Sequence, residues 1–272
     1  MILSIITINY NNISGLKKTF NSVLLQSFKD FEWIVIDGGS TDGSREIIES
    51  EQTHFAFWCS EPDTGIYNAL NKGIKHARGE FVLFLNSGDW LFDGNSLDNA
   101  ISEISRQNEE SDIYYGNMMQ VNDSSRIIPV SYPDNIGLFF FLNNNICHQA
   151  SFYRLSLFDN NYYDESFSVI SDWAMNINLL VRGFSFKHIN SYITYYDNSG
   201  RSSISDSNYY DERYAAFSKY VPKHLNVDVA WYNDNYYFSR RRKSTRLLLD
   251  LSIKICHKLD KLLSTVERRR NN

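Results

Sequence analysis

The stretch FEWIVIDGGSTDGSREIIES, residues 31–50, decides the fold. Its first seven residues are almost all apolar, β-branched or aromatic, the composition of a strand buried on both faces. The run stops at Asp37. A Gly/Ser turn then leads directly into a helical pattern, with Asp42 or Ser44 as its cap. Working outward, the same unit recurs. ILSIITINY, residues 2–10, reads as a strand, and Leu16, Phe20, Val23 and Leu24 follow at helical spacing. FAFWCSE, residues 55–61, precedes a helix started by Asp63 or Thr64 and stopped near Gly79. EFVLFLN, residues 80–86, is a fourth strand. Strand-helix repeats of this kind predict an α/β fold: a Rossmann-like, mostly parallel sheet with helices on both faces. In such sheets ligands bind outside the carboxyl ends of the strands. Asn9, Tyr10, Asp37, Glu61 and residues 86–89 all fall at those ends.

Beyond Asp89 the alternation weakens. Residues 95–107 read as a helix, 112–121 and 126–132 as a strand pair, and 148–154 as a strand. A helix starts at Ser171, and 185–197 is strand-like. This predicts an α+β region packed on the first half, with one continuous unit to about Pro222.

The chain has 272 residues, 43% hydrophobic and 22% charged, a folded rather than a disordered composition. Its three cysteines (Cys59, Cys147 and Cys256) form no C-x-x-C pair, which argues against a disulfide framework and fits a reducing compartment. The N-terminus lacks a basic n-region and a cleavage site, so no signal peptide is expected. No apolar run reaches spanning length. Charge is uneven. Residues 240–270 hold eleven Lys/Arg against three Asp/Glu, a net of +8 in a chain of net −5, which leaves −13 on the rest.

No G-x-G-x-x-G follows the first strand and no G-x-x-x-x-G-K-[ST] occurs, which excludes the standard dinucleotide and P-loop readings. The carboxylate of Asp37 can accept from a donor pair such as a uracil imide or ribose hydroxyls, and the glycines after it let the backbone approach a flat ring. The alternative is a tight strand-to-helix turn.

Taken together, TINYNN, IDGGSTDGS, SEPDTGIYNALNKGIKHARGEFVLFLNSGDWL, HQASFYR and FSVISDWAMNINLLVRG resemble the family 2 glycosyltransferases, over about residues 2–183. The resemblance is to the bacterial branch that builds O-antigen and capsule. It implies an inverting enzyme of the GT-A fold that uses a nucleotide-sugar donor. Residues 1–95 would then be the nucleotide-sugar-binding half and 96–222 the acceptor-side half. By the same resemblance Asp37 contacts the base, usually uracil, and Thr7 and Asn9 border its pocket. Glu61 and Asp63 line the other side, and Asn71 to Gly73 approach the diphosphate. Many relatives carry Arg where this chain has Leu70, so that contact is missing or taken over by Lys72. Each has a structural alternative: Asn71 as helix surface, Asp63 as a cap.

A departing diphosphate is best offset by a divalent cation, and Mg²⁺ or Mn²⁺ takes hard oxygen ligands, often only one or two protein carboxylates. The family's D-x-D motif aligns with Asn86, Ser87, Gly88 and Asp89. Three readings stay open. Asp89 is the sole direct ligand, with Asn86 placing donor or water; the enzyme is metal-independent; or the loop is a plain turn. Metal dependence is the favoured expectation.

Inversion needs a base for the acceptor hydroxyl. The resemblance implies an Asp or Glu starting the helix after the second-half strands, and the matching residue is Asp172, at a helix N-terminus where the dipole favours the anion. A cap or charge role is the alternative, and Asp164 and Glu165 are nearby carboxylates. Trp173 can stack on a sugar ring or belong to the core. His148 can complete the metal shell, touch the diphosphate or be structural. Gly200, Arg201 and Ser202 are expected in a loop that closes over the donor.

Residues 223–272 form a basic tail in which Leu248, Leu251, Ile255, Leu259, Leu262 and Val266 make one helical stripe. That pattern suits an anionic membrane surface, with docking on the body or on a second subunit as the alternative. Nucleic acid is not expected, since the tail lacks interleaved aromatics.

The resemblance implies transfer of a hexose, galactose or glucose, from a UDP-sugar to a GlcNAc-diphosphate lipid, by a β linkage, at the cytoplasmic face of the inner membrane. GDP-fucose or UDP-GlcNAc as donor is the alternative within the class. A non-catalytic nucleotide-sugar-binding scaffold is the alternative outside it.

Overall fold

The computed structural model describes residues 1–122, 126–159, 162–197 and 209–222. The tail at 223–272 and the segment around Arg201 lie outside the described residues. The chain divides into two units, Met1–Tyr220 and Val221–Asn272, and every strand and helix described belongs to the first.

Strands β1 (Leu3–Asn9), β2 (Phe31–Asp37), β3 (Phe57–Ser60) and β4 (Phe81–Phe84) form a parallel sheet in the order β3-β2-β1-β4. Its register sets Asn9 beside Asp37 and Asp37 beside Ser60, so three strand ends meet in one row. β1 is buried along its whole length, as its apolar run requires. Leu3 and Ile5 face α1 (Ile13–Leu24), whose Leu16, Phe20 and Val23 join Trp33 in the core. The other face receives α3 (Ile66–His76). There a Cβ on Gly73 would lie 2.4 Å from Ile6 Cγ2, so this glycine is a close-packing position, not an approach to a ligand. In chain order α2 (Ser44–Ser50) comes between these helices, with Gly43 at its N-cap at φ 92°. Asp42 accepts from Ser44 N at 3.1 Å and Ile13 N at 2.8 Å, so it serves the first turns of two helices.

The second half continues the sheet. β5 (Trp90–Leu91) is followed by α4 (Ser96–Ser105), β6 (Ile113–Val121) and β7 (Ile127–Val130). Then come α5 (Leu138–Asn143), a 3-10 turn at His148–Ala150, β8 (Ser151–Arg154), α6 (Ser171–Val181), β9 (Phe186–Asp197) and α7 (Tyr209–Tyr220). β8 pairs antiparallel with β4 and ties the halves into one sheet, ordered β3-β2-β1-β4-β8-β6-β9-β5 with β7 beside β6. The strand expected at 148–154 starts only at Ser151, because His148–Ala150 turn instead. The short β5 pairs with β9, Trp90 with Tyr195 and Leu91 with Thr194, which carries the end of β9 to the loop after β4. Among the described residues no helix is long and apolar enough to cross a membrane.

Candidate active site

A cleft of about 900 Å³ opens at the carboxyl ends of β1, β2 and β4, where an open α/β sheet places its ligands. One end is built by Tyr10, Gly38 and Asp63. Tyr10 is 61% exposed although it directly follows a wholly buried strand. A Cβ on Gly38 would stand 2.8 Å from Asp63 Oδ2 and 3.2 Å from Tyr10 Cδ2, so the glycine keeps open a slot between ring and carboxylate. Asp63 Oδ1 accepts from Gly65 N at 3.2 Å, the local turn that starts α3, while Oδ2 faces the slot. Burial pushes the Asp63 carboxyl up, aided by the negative charges of Asp37 and Glu61.

Asp37 is fully buried and does not line the cleft. Its oxygens accept from Asn9 Nδ2 at 2.8 Å, Ser40 N at 2.9 Å, Ser60 Oγ at 2.6 Å and Ser40 Oγ. Burial opposes ionisation, but the donors from Ser40, Ser60 and Asn9 outweigh it and hold the carboxyl low. With every donor internal, Asp37 has no free face for a base here. It instead fixes Asn9, which lines the cleft and whose Oδ1 is buried without a partner. Thr7 is likewise fully buried, accepting from Trp33 Nε1 at 3.0 Å, beneath the cleft rather than at its border.

The other end is built around the loop after β4. Asn86, Ser87, Gly88 and Asp89 all line the cleft. Gly88 has φ 108°, a left-handed conformation that favours glycine. Thr19 of α1 anchors the loop: its hydroxyl donates to Asp89 O at 2.6 Å and accepts from Gly88 N at 3.1 Å. Asn12, the N-cap of α1, donates to Ser87 O at 3.1 Å. Asp89 is 5% exposed; Oδ1 accepts from Asp197 N at 2.9 Å and Oδ2 from Gln149 Nε2 at 2.8 Å. Burial raises its carboxyl to about 7, and nearby Asp197 adds to the rise, while its hydrogen bonds and Lys18 oppose it. Asp197, delivered by the β5–β9 pairing, lines the cleft beside it.

These groups suit a hard divalent cation: a buried carboxylate, a second carboxylate next to it, and Asn86 Oδ1, a buried acceptor with no donor. No cluster of three or more His, Cys, Asp or Glu exists among the described residues, so phosphate and water oxygens would complete the shell.

His148 does not line the cleft. Its Nε2 lies 3.3 Å from Asn86 Nδ2, and Nδ1 lies 3.5 Å from Tyr163 Oη. Burial lowers its pKa, against the nearby charge of Asp172, and its Nε2 contact helps to orient Asn86. In the pair His-Gln it is Gln149 that reaches Asp89; nothing but adjacency to His148 marked it in the sequence.

Other expected contacts lie elsewhere. Asn71 is 4% exposed and clasps Tyr163, donating to its O and accepting from its N, both at 2.9 Å. It also donates to Glu165, so it joins α3 to the 163–165 segment and does not line the cleft. Lys72 pairs with Glu61 at 2.8 Å and donates to Pro62 O; neither Lys72 nor Glu61 lines the cleft. Trp173 is 4% exposed, donates to Phe141 O at 2.7 Å and stands edge-on to Phe217, so it is core rather than a sugar platform.

Asp172 sits in the first turn of α6, half-buried and outside the cleft lining. Tyr67 Oη of α3 lies 3.2 Å from Oδ1 and Asn145 Nδ2 lies 2.8 Å from Oδ2. Asn145 is held in turn by Asn176, and Asn176 by Tyr153, each at 3.0 Å. Tyr67 lies between Ile66 and Ala69, which line the cleft, so α3 links Asp172 to it. The alternatives are engaged. Asp164 accepts from Lys219 and Tyr220, which outweigh burial and hold it well below the carboxylate range. Glu165 accepts from Asn68 and Asn71.

Solved structures share this architecture. A crystal structure of S. aureus TarS 1–349 in complex with UDP-GlcNAc superposes with a TM-score of 0.66 at 23% identity, covering 80% of this chain and 64% of that one. The mannosyltransferase PcManGT from Pyrobaculum calidifontis, in complex with GDP-Man and Mn²⁺, gives 0.56 at 14% identity, over 84% and 64%. The fold is GT-A. An uncharacterized glycosyltransferase of Mycobacterium tuberculosis is 34% identical over 173 residues, 62% of this chain and 65% of that protein. The match thus spans less than two thirds of that relative's length. The model for glycosyl transferase family 2 matches residues 4–165, more than half of the sequence, and the chain belongs to that family.

Proposed function

We propose that the chain is an inverting glycosyltransferase that takes a hexose, galactose or glucose, from a UDP-sugar. The acceptor is a lipid-linked sugar diphosphate such as GlcNAc-diphosphoundecaprenol, joined by a β linkage in O-antigen or related surface polysaccharide synthesis. The observation that carries the reading is one cleft with two unlike ends: a ring-sized slot between Tyr10 and Asp63, and the carboxylates Asp89 and Asp197. In this reading the base lies on Tyr10, with Asp63 accepting its imide proton and Asn9 Oδ1 a ribose or base donor. The UDP-GlcNAc bound by TarS supports a uridine donor, and the Mn²⁺ of the mannosyltransferase supports a divalent cation. Asp89 and Asp197, with Asn86 Oδ1, would hold Mn²⁺ or Mg²⁺, which offsets the charge of the departing diphosphate when bound.

Asp172 removes the proton of the acceptor hydroxyl as its oxygen attacks the anomeric carbon and the bond to the diphosphate breaks on the opposite face. Asn145 donates to Oδ2 at 2.8 Å and orients the carboxylate, while Tyr67 Oη, whose hydroxyl also reaches Val169 O at 2.8 Å, stands beside Oδ1. The basic tail places the enzyme on the cytoplasmic face of the inner membrane, where lipid-linked acceptor is concentrated. Flotation with anionic liposomes, with and without residues 240–272, tests that part.

The test of the whole is a panel of UDP- and GDP-sugars with Mn²⁺ and a synthetic GlcNAc-diphosphate lipid. Transfer from one UDP-hexose is expected. Transfer only from UDP-GlcNAc or GDP-fucose corrects the donor, and no transfer or donor hydrolysis from any member sinks the enzyme reading.

A further inference from the structure

The cleft is charged on one side of the balance. Among the described residues that line it, Asp63, Asp89 and Asp197 are carboxylates and Lys18 is the one cation. Such a lining repels a nucleoside diphosphate unless cations meet it. Lys18 belongs to α1, one turn after Ser14, and both line the cleft; four residues apart, they share a helix face. The ammonium and the positive end of the α1 dipole therefore reach the same wall. That wall adjoins the loop of Asn86 to Asp89, because Asn12 and Thr19 of the same helix bind the loop backbone.

The Lys18 side chain is placed rather than loose. Nζ lies 4.2 Å from the Trp90 ring centroid, and Trp90 is stacked on Tyr195 at 4.8 Å. Its distance to Asp197 Oδ2 is 3.7 Å, with Lys18 45% exposed. A long, half-exposed pair of this kind is weak, and a multiply charged phosphate displaces it. Lys72 offers no substitute, being engaged by Glu61 and Pro62 O outside the cleft.

We infer that Lys18 binds the diphosphate of the donor, contacting its terminal phosphate and, after bond breaking, the leaving group. This role rests on the nucleotide-sugar reading and deepens it, by naming the protein's own cation for the phosphate end of the cleft.

Isothermal titration in Mg²⁺ buffer with UDP and UMP, and with GDP and GMP as a second pair, tests it. Wild-type protein binds the diphosphate of its preferred base more tightly than the monophosphate. Lys18→Gln lowers diphosphate affinity by about tenfold or more, the loss expected for a charge-assisted contact, and leaves the monophosphate nearly unchanged. Lys18→Arg keeps most of the affinity, and Lys17→Gln, an exposed neighbour on the same helix, keeps all of it. An unchanged diphosphate affinity in Lys18→Gln, an equal loss for both nucleotides, or an equal loss in Lys17→Gln overturns the assignment. If the wild type binds none of the four nucleotides, the nucleotide-sugar reading falls and this assignment falls with it.

Discussion

Replacing Asp89 with Asn should change how stability depends on pH and on Mn²⁺. Burial lifts the Asp89 carboxyl from 3.8 to about 7 in the metal-free fold. Above about pH 4 the unfolded chain has lost this proton while the native state keeps it, so stability falls as pH rises, at about 1.4 kcal/mol per unit. The fall ends near pH 7, where the native carboxyl also ionises. The whole shift corresponds to roughly 4 kcal/mol. Asp89→Asn removes the titration and gives up one of two hydrogen bonds, at a cost of about 1 kcal/mol. Urea unfolding in EDTA from pH 4.5 to 8, for wild type and Asp89→Asn, reads the difference. The wild type should lose about 3 kcal/mol more than the variant across this range. Added Mn²⁺ should restore the wild type increasingly above pH 7, where the ionised carboxylate is available, and leave the variant unmoved. Parallel pH curves for the two proteins, or equal Mn²⁺ stabilisation of both, would show that Asp89 is neither the titrating group nor a metal ligand.

Other substitutions separate site from scaffold. Gly38→Ala puts a methyl between Tyr10 and Asp63, so UDP affinity by calorimetry should fall about tenfold or more while the melting temperature moves by only a few degrees. Asp172→Asn should lower kcat by about 10²–10⁴ with donor KM nearly constant, as loss of a base requires. Asn145→Ala removes the amide that donates to Asp172 Oδ2 and should lower kcat by about tenfold without raising donor KM. Asn71→Ala strips the backbone partners of Tyr163, so urea unfolding should show a loss of about 2–3 kcal/mol, with UDP affinity retained.

Hydrophobic pattern carried most of the first half. Runs such as residues 2–10 and 31–37 have no polar face, so only a doubly covered parallel strand accommodates them, and the glycine-rich turns after them mark where the row of strand ends lies. What pattern could not carry was which polar side chains at those ends face solvent. Asp37 looks like a base reader in the sequence, yet Ser40, Ser60 and Asn9 close around it, and two of those donors come from neighbouring strands. The family resemblance places Asn71 at the diphosphate, but its amide matches the backbone of Tyr163, 92 residues later. Asp197 and Lys18 went unnoticed for the converse reason. One ends a strand whose partner β5 is two residues long, and the other belongs to the ordinary polar face of an amphipathic helix. Their meeting at Asp89 is a property of the β5–β9 pairing. α5 was hidden because a six-residue apolar run such as LFFFLN has too few turns to show a period.

The central claim is glycosyl transfer with inversion from a nucleotide sugar held at the strand ends. Proton NMR of the product formed from an α-linked UDP-hexose and a GlcNAc-diphosphate lipid addresses it most directly. A β anomeric signal that appears with stoichiometric UDP and is lost in Asp172→Asn is expected. An α-linked product, or a β product formed as fast by Asp172→Asn, would contradict it.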